Sequence, residues 1–274
     1  MPRKNTKKLP SFEGVAAGQT ATLRMPIGQS YHKILLAYSG VTLAQMLEMR
    51  VVINGDVRHR FTTADTYTGL NALDKMNQYM GRAAAAGEII IDFERFGLDL
   101  RELKELTKVG TGVLDDPLLI STFSIEIDID ATAAAPALSA RAERSPARVV
   151  GDILQTRLFG YNAPAVGEFE ISDLPKGDLI SKIYFGGHIA RAYTRLEVEI
   201  NGSIIFDKTV SEIELIQNDG IRVPQADFVV YDPSEEGYGD EFLPSNVSDL
   251  RFRLTCTNAG AIPVIMETFG SPDR

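Results

Sequence analysis

One turn occurs twice in this chain. Val51-Val52-Ile53-Asn54-Gly55-Asp56 and Glu197-Val198-Glu199-Ile200-Asn201-Gly202 lie 147 residues apart (Gly55 to Gly202) in a sequence of 274 residues. Asn-Gly accepts the positive φ angles of a two-residue type I′ turn, and β-branched residues flank it both times, so each copy predicts a tight β-hairpin. The match continues outward. Pro26-Ile27-Gly28 followed by Tyr31, Lys33, Ile34 and Leu35 corresponds to Pro175-Lys176-Gly177 followed by Ile180, Lys182, Ile183 and Tyr184. The alternating run Phe123, Ile125, Ile127, Ile129 with Pro136 after it mirrors Leu250, Phe252, Leu254, Cys256 with Pro263 after it. A duplication explains all three matches, with about twenty extra residues between hairpin and last strand in the first half, part of them in the helix-like stretch 65–107.

Two domains of about 120 to 130 residues suit a chain that is 44% hydrophobic. Lys and Arg number 28 against 37 Asp and Glu, a net charge of −9, which gives no general attraction to a phosphate backbone and argues against a specific nucleic-acid ligand. The exception is local: Arg3, Lys4, Lys7 and Lys8 crowd the first eight residues. No hydrophobic region follows them, so they read as a solubilising tail and not as a signal peptide or transmembrane span. The single cysteine, Cys256, sits on the inward face of an alternating strand and reads as core. Asn201-Gly202-Ser203 and Asn246-Val247-Ser248 fit the glycosylation acceptor pattern, but the first is already explained by its turn.

Short strands are expected near 20–25, 32–38, 50–53, 57–61, 88–93, 120–129, 167–171, 180–186, 195–200, 203–207, 226–231, 250–256 and 262–268. Helical spacing appears only in patches, at Leu43 to Met49, Leu70 to Met80, Leu98 to Leu106, Val149 to Leu158 and Ser211 to Gln217. These are too few and too short to cover a parallel sheet, which leaves an all-β chain of two sandwiches. The Ala-rich start and Arg141, Arg144, Pro146 and Arg148 make 131–166 a connector. The expected division is a basic arm at 1–12, a first β domain at 13–140, a connector at 141–166 and a second β domain at 167–274.

Catalytic patterns are lacking. His32, His59 and His188 are the only histidines, and neither His-Glu-x-x-His nor Gly-x-Ser-x-Gly occurs, so the chain does not read as an enzyme. Gly81 to Gly87 lacks the Gly-Lys-Ser/Thr ending of a phosphate loop and reads as a link between helix and strand. The acidic run from Asp232 to Glu241 is the one candidate metal site, with Asp232, Glu235, Glu236, Asp240 and Glu241 as calcium ligands. Leu243 falls where an EF-hand needs a bidentate glutamate, so a solvated acidic loop is the competing reading.

Gly14-Val15-Ala16-Ala17-Gly18, Leu23 through Tyr31, and Tyr38-Ser39-Gly40-Val41-Thr42 follow in an order and spacing that resembles the major capsid proteins of corticoviruses, the membrane-containing icosahedral phages of marine bacteria. Arg50-Val51 with the Gly55 turn, the Ala run before Pro136 with Leu138-Ser139-Ala140, and Ile171-Ser172-Asp173-Leu174-Pro175 carry the resemblance further. It spans most of the chain and fades after about residue 205.

The resemblance implies a double jelly roll, two tandem eight-stranded sandwiches side by side with short helices in the connections. It also implies a homotrimer that packs as a pseudo-hexagonal capsomer in the virion shell, formed in the host cytoplasm and meeting neighbouring capsomers, a vertex or penton protein, and an internal lipid membrane with its proteins. Three copies of a two-lobed chain present six similar edges. Under such a shell Arg3, Lys4, Lys7 and Lys8 would face anionic lipid, each worth about 1 kcal/mol near the surface. The family's association with calcium bears on the acidic run without identifying ligands. The competing class is a carbohydrate-binding jelly roll using Tyr161, Tyr193, Tyr231 and Tyr238, against which the absence of tryptophan tells. A cupin-like enzyme comes third, lacking clustered histidine ligands.

Overall fold

The computed structural model describes residues 4–63, 68–94, 105–113, 119–187, 189, 191–235, 243–244 and 246–272. The first half runs β1 (Asn5–Lys8), β2 (Thr20–Arg24), β3 (Gln29–Ser39), β4 (Met46–Ile53), β5 (Asp56–Thr62), α1 (Leu70–Tyr79), β6 (Glu88–Asp92), β7 (Val109–Gly110), β8 (Phe123–Ile129) and β9 (Ala137–Pro146). The second half repeats it: β10 (Ile153–Ala163), β11 (Gly167–Ile171), β12 (Leu179–Gly186), β13 (Tyr193–Ile200), β14 (Ser203–Thr209), α2 (Val210–Gln217), β15 (Phe228–Tyr231), β16 (Leu243–Pro244), β17 (Leu250–Cys256) and β18 (Gly260–Gly270). Each half is a jelly roll with its helix between the fifth and sixth strands. Among the described residues one 3₁₀ turn, Leu43–Gln45, stands outside the repeat.

The duplication extends to irregularities. Both hairpin turns have positive φ at both central residues, Asn54 and Gly55 at 51° and 90°, Asn201 and Gly202 at 49° and 82°. Bulges break the ladder between Tyr31 and Lys33 on β3 and between Ile180 and Lys182 on β12, and between Met46 and Glu48 on β4 and Tyr193 and Arg195 on β13. A third matched pair lies at Val51/Val52 and Val198/Glu199. A bulge inserts one residue and re-aims the strand, so bulges at corresponding places give the two halves the same curvature.

Three sheets result. One has the order β1-β9-β3-β6, with β7 also on β3; another is β11-β17-β13-β14. Between them runs a long sheet, β15-β12-β18-β10-β5-β4-β8-β2, shared by both halves and joined where Thr156 of β10 pairs in parallel with His59 of β5. The first core lies between the first sheet and the β5-β4-β8-β2 end of the long one, filled by residues such as Ile34, Ile91, Val51 and Ile127. The second lies between the β18-β12-β15 end and the last sheet, with Ile183, Phe185, Val198 and Phe252. On β8 and β17 every second residue is buried, which is the alternation the sequence displays.

Four expectations are corrected. Leu43 to Met49 is helical only to Gln45; from Met46 it is strand, because Met46, Met49, Val51 and Ile53 enter the core with a period of two past the bulge. Val149 to Leu158 contains no helix: from Ile153 it is β10, an eleven-residue strand. Residues 141–166 are therefore not a connector, since they hold the end of β9, which pairs with β3, and all of β10, which pairs along its whole length with β18. Nor do residues 5–8 form a solubilising tail; β1 pairs with Arg141 to Arg144 of β9, and β1 on β9 corresponds to β10 on β18. Leu70 to Met80 and Ser211 to Gln217 match α1 and α2, while Leu98 to Leu106 lies mostly outside the described residues.

Candidate functional site

A buried polar cluster lies where the first half meets the outer face of the second. Asp232, directly after β15, is fully buried. Its Oδ2 accepts from Arg222 Nε at 2.9 Å and from the Tyr79 hydroxyl at 3.3 Å, with Lys182 Nζ at 3.9 Å, while its Oδ1 accepts from Ser234 Oγ at 2.6 Å. Burial alone would raise the pKa of this carboxyl; the charges of Lys182 and Arg222 outweigh it and bring it down to about 2. Arg222 also donates to Asp219 and to Ser234 O. Glu235 is held by Lys208 Nζ at 2.5 Å and Gln217 Nε2 at 2.9 Å. Asp232 and Glu235 thus serve as buried counter-ions to cations of the chain itself. Glu236, Asp240 and Glu241 lie outside the described residues.

Three members of this cluster, Asp232, Arg222 and Lys182, have counterparts in the first half. Arg82 precedes Asp92 by ten residues as Arg222 precedes Asp232, and Arg82 Nη1 donates to Asp92 Oδ2 at 3.0 Å. Lys33 pairs across β3 and β6 with Asp92, as Lys182 stands beside Asp232. The surroundings differ. The Lys182 and Arg222 side chains are each 2% exposed, but those of Lys33 and Arg82 are 38% and 35% exposed. With Leu35, Ile90, Arg141 and Glu143 they line an open groove of about 590 Å³ on the outer face of the β9-β3-β6 sheet. Burial of Asp92, only partly offset by the Glu94 amide and Arg82, raises its carboxyl to about 7.

What closes the face in the second half is the first half. Tyr79 at the end of α1 packs edge-on against Tyr184 with ring centroids 5.8 Å apart, and Tyr184 does the same to Phe228 at 6.1 Å. Lys75 of α1 reaches Asp227 at 3.2 Å. His59 Nδ1 contacts Thr156 Oγ1 at 2.9 Å, and burial lowers its pKa to about 4. Tyr184, Phe228, Val230 and Ile265 accordingly belong to the first core although the second half supplies them. A small cavity of about 50 Å³ remains at the junction, bordered by His59, Asp92, Lys182 and Glu267.

The basic arm is divided in its contacts. Lys4 Nζ lies 2.5 Å from Glu94, 3.3 Å from Glu105 and 3.7 Å from Glu143. His32 Nδ1 meets the same Glu94 oxygen at 2.5 Å, and its Nε2 meets Ser145 Oγ at 2.9 Å. His32, Glu94 and Glu105 are spaced as metal ligands could be, but the Lys4 ammonium supplies the positive charge there. Lys4 is thus engaged within the fold, Lys7 and Lys8 are exposed on β1, and Arg3 lies outside the described residues. The tyrosines considered for stacking sugars are not arrayed for it: Tyr193 and Tyr231 are core, Tyr161 donates to Asp173 from β10, and Tyr238 lies outside the described residues. Cys256 is core, as expected. Sequence reasoning missed the Arg82–Asp92 and Arg222–Asp232 pairs, whose equal spacing in the two halves was the available signal.

Known proteins share this arrangement. The model of the viral coat protein P2 N-terminal domain matches residues 6–145, and that of the P2 C-terminal domain matches residues 153–272. The major capsid protein P2 of Pseudoalteromonas phage PM2 is 30% identical over 271 residues, covering 96% of this chain and 95% of the relative. The crystal structure of P2 from bacteriophage PM2 superposes with a TM-score of 0.84 at 27% identity, over 98% of each chain. The STIV MCP has the same fold at 10% identity, with a TM-score of 0.69 over 98% of this chain and 97% of that one. So does PBCV-1 VP54, at 10% identity and a TM-score of 0.63 over 98% and 94%.

Proposed function

The chain belongs to the viral coat protein P2 family, and on that premise we propose that this homologue of a viral major capsid protein assembles as a homotrimer forming a pseudo-hexagonal capsomer of a virion shell. The observation that supports this reading is the strand-for-strand equivalence of the two halves. A trimer of duplicated chains has six near-equivalent lobes, and heterologous contacts between such lobes close a ring. No feature of the described residues favours carbohydrate binding. Imaging the purified chain by negative-stain electron microscopy is the test: six-lobed particles of roughly hexagonal outline are expected, and a field of single two-lobed particles overturns it.

An internal membrane is the proposed partner on the inner side of the shell, met by the exposed ammonium groups of Lys7 and Lys8, with assembly from capsomers formed in the host cytoplasm and vertices closed by another protein. Each exposed lysine near an anionic surface is worth about 1 kcal/mol. The double variant Lys7→Glu/Lys8→Glu should bind phosphatidylserine vesicles at low salt more weakly than the parent, and unchanged binding refutes the membrane contact.

A further inference from the structure

Tyr79, Tyr184 and Phe228 pack the junction between the halves tightly, yet beside them several buried polar atoms find no protein partner. His59 of β5 is 6% exposed, and its Nε2 is enclosed without a hydrogen bond. A pKa of about 4 keeps this imidazole neutral at neutral pH, so one ring nitrogen is a bare acceptor and the other a donor. Thr156 Oγ1 occupies Nδ1, and Nε2 is left over.

Lys182 of β12 is in a similar position. It is 2% exposed, and its ammonium carries three donors. Its ion-pair partner Asp232 Oδ2 stands at 3.9 Å, beyond hydrogen-bond distance. Glu267 of β18 accepts from Ser181 Oγ at 2.7 Å through Oε1, and among the described residues its Oε2 receives no donor. Asn77 of α1 spends Nδ2 on Ile90 O at 2.9 Å, and its Oδ1 receives none either. All four residues line the junction cavity of about 50 Å³, whose remaining lining is largely apolar and includes Phe61, Leu73, Met76 and Ile91.

We propose that this cavity is a water-binding site in which about three ordered molecules join His59 Nε2 and Asn77 of the first half to Lys182 and Glu267 of the second. The number follows from the volume, because each water needs about 10–15 Å³ of such space. These waters stand beside the direct contact of His59 with Thr156 and extend the polar link between the halves.

The unmet groups select the ligand. Lys182 offers donors, whereas His59 Nε2, Glu267 Oε2 and Asn77 Oδ1 offer acceptors, and water serves both kinds at once. A metal ion would be repelled by the Lys182 ammonium, which already supplies the positive charge. An anion would meet Glu267, Glu94 and Asp92, which also border the cavity. The Asp92 oxygens are engaged by the Glu94 amide at 2.8 Å and Arg82 Nη1 at 3.0 Å. An apolar guest would leave every one of the polar atoms unpaired.

A crystal structure of the full chain that resolves ordered water is the test. Density peaks are expected inside the cavity, about 2.7–3.2 Å from His59 Nε2 and from Lys182 Nζ. A cavity without peaks, or one closed by side chains that bond Nε2 and Nζ directly, overturns the proposal. In solution, oxygen-17 magnetic relaxation dispersion counts the long-lived waters of a protein. His59→Phe places a ring without an acceptor in the same space, and this variant, folded by circular dichroism, should lose at least one long-lived water relative to the parent. An unchanged count in the folded variant overturns the proposal as well.

Discussion

Arg50 of β4 and Arg253 of β17 occupy opposite strands of equivalent strand pairs: Arg50 faces Glu126 in the first half, and Glu197 faces Arg253 in the second. The ion pair has been kept and its polarity reversed. Arg50 reaches Glu126 at 3.3 Å and Asp128 at 2.8 Å; Arg253 reaches Glu170 at 2.9 Å, Glu199 at 2.6 Å, and Glu197. What this outer face requires is one cation among several carboxylates, and the strand that bears it is free to change.

Exchange within one half should then be tolerated where loss is not. Arg50→Glu puts a fourth acid beside Glu48, Glu126 and Asp128 and should cost about 1 kcal/mol or more in urea unfolding. Arg50→Glu/Glu126→Arg installs the polarity of the second half and should recover at least half of that loss. Additive damage in the double variant would contradict the equivalence.

The Asp232 cluster is a larger liability. Asp232→Asn keeps the shape but leaves Lys182 buried without its counter-charge and Arg222 with Asp219 alone, at about 3 kcal/mol. Because the native carboxyl is held at about 2, below its ordinary 3.8, its contribution is present above pH 4 and disappears as pH falls from there to about 2. Thermal melting should show the parent losing its advantage over Asp232→Asn in that window, and a difference that does not change with pH would rule out the charge role.

His59 titrates with the opposite charge and the same direction. Its folded pKa of about 4 lies below the ordinary 6.5, so the unfolded chain binds the extra proton between those values and stability falls as pH drops through them. His59→Gln should abolish on the order of 3 kcal/mol of that acid sensitivity. The comparison is between variant and parent, since Asp92, raised to about 7, gains protons in the folded state and acts in the other sense from pH 7 down to 4. Equal slopes for the two proteins would show that His59 is not the group responsible.

Lys4 is expected to hold β1 in place. Lys4→Met removes the cation shared by Glu94, Glu105 and Glu143, and amide exchange of residues 5–8 should accelerate by about tenfold or more while the core strands are unaffected. Unchanged protection would mean that the ladder to β9 suffices.

The sequence announced some of this and concealed the rest for physical reasons. The hairpins at Asn54 and Asn201 were legible because turn chemistry and alternation agree, and β8 and β17 because only one of their faces is buried. β10 was misread because Leu154, Gln155 and Thr156 are all buried between the halves, which erases the period of two. β1 was missed because Asn5 to Lys8 is wholly polar and is a strand only through its pairing with β9. Asp232 was read with its acidic neighbours in the chain, whereas Lys182 lies fifty residues before it and Arg222 ten, and the two cations converge on it only in the fold. The open groove was legible only by comparing the halves in three dimensions.

The most direct measurement is the molar mass of the purified chain by size-exclusion chromatography with light scattering, at several concentrations and with and without calcium. The account predicts a trimer of three times 30.0 kDa. A chain of 30.0 kDa at every concentration and in both conditions would contradict it.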